Sequence, residues 1–142
     1  MEKHTANENI IRFSNLIKQI DVSPNECLIF YYNGNNNLAC AVAKKVLFYY
    51  KIIYISSEIA CENNSLRIGM LGSGFKDGKT FKSLIWGIIY DKSVNKIVNN
   101  NIEATKFVTS KFEMFYSINE GPLEFDYHIY NSNGYELEML VN

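Results

Sequence analysis

Apolar positions recur along this chain in two rhythms, helical spacing in the first two thirds and strict alternation in the last. Ile10, Ile11, Phe13, Leu16, Ile17 and Ile20 follow Thr5-Ala6-Asn7-Glu8, a capping box whose Thr5 hydroxyl can accept from the Glu8 amide while the Glu8 carboxylate reaches back. This predicts a first helix, closed by Asp21-Val22-Ser23-Pro24-Asn25. Cys27–Tyr32 is a continuous apolar run, the pattern of a strand covered on both faces. Beyond the turn Asn33-Gly34-Asn35-Asn36-Asn37, the residues Leu38, Ala39, Val42, Ala43, Val46 and Tyr50 form a helical stripe leading into the strand Lys51–Ser56. Strand, eighteen-residue crossover and strand predict a right-handed βαβ unit.

Ser57–Ser65 reads as a short helix or loop, Arg67–Leu71 as a brief strand, and Gly72–Gly78 as a glycine-rich loop. Phe81, Leu84, Ile85, Ile88 and Ile89 then keep the spacing of a buried helix face, which Val94, Ile97 and Val98 extend. A strand is the rival reading, because Ile and Trp favour sheets. Asn99-Asn100-Asn101 ends the element.

The alternating part has three runs. Phe112, Met114, Tyr116 and Ile118 come first, then Leu123, Phe125, Tyr127 and Ile129, then Tyr135, Leu137, Met139 and Val141. Asn119-Glu120-Gly121-Pro122 and Asn131-Ser132-Asn133-Gly134 separate them as turns, so residues 112–141 are expected to be a three-stranded antiparallel meander. The expected fold is α+β: N-terminal helix, βαβ unit, further helix and C-terminal meander in one mixed sheet. The 142 residues, 47% hydrophobic and 14% aromatic, suffice for a single globular domain over 1–142.

Charge adds the functional clue. All fourteen Lys and Arg lie at or before Lys111, against nine acids, so residues 1–111 carry +5 and residues 112–142 carry −6. If the alternating apolar residues face the core, Glu113, Glu124, Asp126, Glu136 and Glu138 share the opposite face with Phe115, His128 and Tyr130. Like charges on neighbouring strands repel, and no Lys or Arg within these strands relieves them. Such a face suits a basic partner, which the acids would steer while Phe115 and Tyr130 anchor it. The expected function is a non-catalytic protein-binding module, more narrowly a small inhibitor or immunity-type protein that neutralises a basic protein such as a nuclease toxin. A homo-oligomer pairing basic and acidic halves is a further reading. Nucleic acid is disfavoured because the positive charge is dispersed and the acids repel phosphate.

The alternative is a small nucleotide- or phosphate-binding protein. Ser73–Thr80 approaches the loop G-x-x-x-x-G-K-[ST], with Gly78, Lys79 and Thr80 in place but Ser73 where the first glycine belongs. Asp126 and His128 share a strand face and could orient a general base, yet no nucleophile can be assigned beside them, so no enzyme and no cofactor are expected. Cys27, Cys40 and Cys61 make neither a disulfide framework nor a zinc pair. The Cys27–Ser56 unit resembles the opening of DHH-type phosphoesterases, but its Asn33–Asn37 loop carries no carboxylate to hold a metal. A polar N-terminus and the shortness of the apolar run Leu84–Tyr90 predict a cytoplasmic protein with no membrane association.

Overall fold

The computed structural model describes residues 15–33 and 37–140, and every regular element among them is a strand. Twelve strands form three four-stranded antiparallel sheets, so the α+β expectation is overturned. The chain divides into two compact units, Met1–Glu58 and Ile59–Asn142.

The first unit is a meander of β1 (Leu16–Ser23), β2 (Glu26–Tyr32), β3 (Leu38–Val46) and β4 (Tyr49–Ile55), in that spatial order. The capping box at Thr5 and most of the expected first helix lie outside the described residues, but its end, with Leu16, Ile17 and Ile20, is strand. Two bulges explain the misleading spacing. The register slips between Leu16 and Lys18 and again between Asp21 and Ser23. Each slip adds a residue to β1, so apolar side chains three apart can point the same way, as they do on a helix.

No βαβ unit forms, because the expected crossover helix is strand β3, paired on both edges. Leu38 to Lys44 pair with Tyr32 to Glu26, and Ala41 to Val46 pair with Ile55 to Tyr49. Leu38–Ala43 are all buried, so no inside–outside alternation marks the strand, and the high helix propensity of Ala is overridden by the two ladders. At the expected Asn turn, the Asn33 amide donates to the Asn37 carbonyl at 2.9 Å, and residues 34–36 lie outside the described part.

The second unit is a sandwich. One sheet has the order β5 (Ile68–Asp77), β6 (Thr80–Ile89), β10 (Glu113–Glu120), β9 (Thr105–Val108). The other has β12 (Glu136–Leu137), β11 (Tyr127–Tyr130), β7 (Lys96–Asn99), β8 (Ile102–Glu103). Ile68, Ile85, Ile89 and Phe115 from the former and Ile97 and Ile129 from the latter share one core with Val94 and Ala104. The expected helix over 81–98 is therefore strand β6, a turn holding Val94, and strand β7. Residues 83–89 are buried without a break, and that continuous apolar run produced the apparent helical spacing.

The C-terminal meander is corrected as well. Residues 113–120 and 127–130 are antiparallel strands, but they lie in different sheets. β6 pairs along the whole of one edge of β10 and β9 along residues 113–116 of the other, so β10 is an inner strand of its own sheet. Gly121, at φ 105°, and Pro122 instead carry the chain across to the second sheet, and Leu123–Asp126 is loop. The second turn does form a hairpin: Asn131 Oδ1 accepts from the Asn133 and Tyr135 amides at 3.0 Å, and β11 pairs with β12.

Candidate functional site

The expected acidic residues separate into two groups because their strands separate. Glu113 lies on β10, half-buried, with its carboxylate 3.6 Å from Lys106 Nζ on β9. Phe115, two residues on, is 0% exposed and belongs to the sandwich core, so it anchors the fold and presents nothing to a partner. Its cross-strand neighbour explains why. Phe115 pairs with Gly87, where a Cβ would sit 2.5 Å from the Phe115 ring and 2.0 Å from the Gly69 carbonyl oxygen. The missing side chain on β6 makes room for the ring.

Asp126, His128, Tyr130 and Glu136 do come together, on the outer face of the sheet formed by β12, β11, β7 and β8. Ile129 faces the core, so its neighbours His128 and Tyr130 face outward. Register extends this face: Glu136 and Lys96 flank Tyr130, while Val98 lies opposite His128 and Glu103 opposite Val98. His128 Nδ1 is 3.0 Å from Glu136 Oε2 and Nε2 is 3.2 Å from Asp126 Oδ1. These carboxylates, Glu136 foremost, raise the imidazole pKa above its usual value. With both ring nitrogens facing carboxylates, no lone pair is directed at a substrate, so the general-base arrangement does not arise.

Two features of this face were not legible from the C-terminal sequence. Lys96, contributed by β7, stands 5.0 Å from the centre of the Tyr130 ring, so one cation does relieve the acids. Glu103 on β8 adds an acid, whereas Phe125 and Tyr135, exposed at 53% and 70%, alternate with Asp126 and Glu136 and so turn away from the row, Phe125 over Gly72 of the other sheet. Phe125 meets Tyr127 edge-on at 6.2 Å. Glu124 is exposed in the preceding loop, where Asn100 Nδ2 donates to its carboxylate at 2.8 Å and Asn99 Nδ2 to its carbonyl at 2.9 Å. Glu138 is exposed beyond β12.

Gly78, Lys79 and Thr80 make no phosphate cradle. Gly78 and Lys79 are the two-residue turn between β5 and β6, closed by the pair Asp77 and Thr80. Gly78 takes φ 64° at the first turn position, as a type II′ hairpin requires. A strand follows where the phosphate loop needs a helix N-terminus.

Two further places escaped the sequence reading. An open cavity of about 580 Å³ is lined by residues including Cys61, Glu62, Lys92, Lys111 and Glu113. Burial, ahead of the Glu62 charge, raises the Cys61 thiol pKa, and the Lys111 charge opposes the rise. The other is the β3–β4 turn, where Leu47 and Phe48 are 80% and 100% exposed. An exposed pair of this kind is invisible in a sequence that reads as one apolar run, Val46 to Tyr50.

No family model, no curated protein and no solved structure matches the chain. The fold and these surfaces define the class: all-β among the described residues, with a second unit that is an antiparallel sandwich.

Proposed function

We propose that the chain is a non-catalytic binding module that docks a cationic protein through the outer face of the β12-β11-β7-β8 sheet. The observation that carries this reading is the fixed row Asp126–His128–Glu136. Its two carboxylates are oriented by one imidazole on the outer face of the sheet, beside the ring of Tyr130. Carboxylates already held in place lose less freedom on binding, and the Tyr130 ring beside them supplies area to be desolvated. Glu103, Glu124 and Glu138 add charge of the same sign around the row, against Lys96. An inhibitor that fills a groove lined with Lys and Arg is the narrower form of the same reading.

Titration calorimetry with an arginine-rich peptide tests it. Binding is expected at low salt, weakening as salt rises, because screening acts on exposed charges. It should also strengthen as pH rises through the His128 pKa, since loss of the imidazolium proton leaves the row more negative. Asp126→Asn with Glu136→Gln should weaken binding about tenfold or more, and Tyr130→Ala should speed dissociation. Equal affinity for wild type and the double variant would overturn the proposal. Binding of the peptide without inhibition of any basic enzyme would retain the module and remove the inhibitor role.

A further inference from the structure

The β3–β4 hairpin ends in a tip that the acidic face does not explain. Val46 and Tyr49 close a turn whose two residues, Leu47 and Phe48, stand almost wholly in solvent, and Tyr49 and Tyr50 continue the exposed run. Four consecutive large apolar or aromatic side chains thus project from one convex end. Such a projection has no concave wall of its own to enclose a ligand, and contiguous exposed apolar surface marks an interaction site.

Two independent observations bear on it, and the first says what covers it. The first is charge. Lys44 and Lys51 are cross-strand partners just below the tip, Lys45 pairs with Tyr50, and no Asp or Glu occurs from Leu38 to Ser57. The hairpin's own residues carry +3, but Glu26 of β2 lies opposite Lys44, so exposed Lys45 and Lys51, on opposite faces, are the collar of its apolar end. The second is backbone. Leu47 has φ 53°, in the left-handed region that hairpins of this length give to glycine, asparagine or aspartate. A branched apolar side chain at that position is strained, and its exposure means that packing inside the fold does not require it.

We propose that this tip is a membrane-docking finger: Leu47 and Phe48 enter the acyl boundary of an anionic bilayer. Tyr49 and Tyr50 lie at the headgroup level, where amphipathic rings are favoured. The lysine collar meets the negative lipid headgroups. Apolar insertion plus basic residues just outside it is the two-signal arrangement that stable peripheral attachment needs. No described helix is long and apolar enough to cross a membrane, and this mode of attachment needs none.

The test is cosedimentation of the full chain with phosphatidylcholine vesicles, with and without phosphatidylserine. Partitioning onto phosphatidylserine vesicles and its loss at high salt are expected. Lys45→Ala with Lys51→Ala should weaken it about 25-fold, from roughly fivefold per lysine. Phe48→Ser should weaken partitioning by about tenfold while leaving the unfolding temperature unchanged, since the ring touches solvent alone. Phe48→Trp should show a blue-shifted emission on phosphatidylserine vesicles, a readout of insertion that a purely electrostatic contact would not give. Three outcomes would each overturn the proposal. These are no partitioning, partitioning indifferent to both lipid charge and Phe48, or a concentration-dependent dimer abolished by Phe48→Ser in place of lipid binding. Because Asp126→Asn with Glu136→Gln should leave vesicle binding intact, the two sites fail or stand separately.

Discussion

At the scale of single residues, His128 shows what the sheet adds to a sequence motif. Spacing alone places Asp126 on its face, but only the β11–β12 register brings Glu136 to the other ring nitrogen. The imidazolium gains partners on folding, so its folded pKa lies above the ordinary 6.5. The resulting stabilisation is fully present below the unfolded pKa and is lost as pH rises through the folded one. Site-resolved NMR titration should therefore place His128 above 6.5, and Glu136→Gln should bring it back down toward that value. A wild-type value at or below 6.5 would show that the carboxylates do not hold the ring in solution. The thiols are ordered by burial in the same way. Burial raises the pKa of all three, Cys27 and Cys40 inside the fold and Cys61 at its surface, where Cys61 is the accessible one.

Among the elements, the turn at Asn131–Gly134 was read as the hairpin it forms, whereas the hairpin expected at Asn119–Pro122 does not form. Asn100 and Asn101, at φ 51° and 65°, turn β7 into β8 where the Asn cluster was read only as an element's end, and Gly134 turns β11 into β12. These turns are local: a side chain that tolerates left-handed backbone is enough to mark them. The turn at Leu47 carried no such mark, because nothing in Val46-Leu47-Phe48-Tyr49 favours φ of 53°. Leu47→Gly should accordingly raise stability by up to about 1 kcal/mol, the usual order of the left-handed penalty. The added flexibility of the unfolded chain offsets part of that gain. Chemical denaturation would measure it, and the same variant should lose vesicle partitioning. A clear loss of stability would show that Leu47 packs in the fold.

For the whole molecule, the sandwich core decides which aromatic residues are structural. Phe115 fills the space left by Gly87 and touches a core shared by both sheets of the second unit. Phe115→Ala should therefore cost about 3–5 kcal/mol, the range for large aromatic truncations in a core. Hydrogen exchange should show amides of β6, β10 and β11 losing protection together. A change below about 0.5 kcal/mol would return Phe115 to the surface. Composition and local pattern were sufficient to place a strand at Cys27–Tyr32 and another at Lys51–Ile55. They also marked strand character in Phe112–Ile118 and turns at the Asn and Gly clusters, since each depends on a residue and its near neighbours. They also located the negative charge. Which strands pair, and hence which acids meet, was decided only by tertiary structure. A ladder joins backbone groups distant in sequence, and any strand with a free edge is a competent partner until the others are placed. The same holds for β3 and β6: burial on both faces erases the alternation that would have named them strands, and only the sheets around them supply that burial.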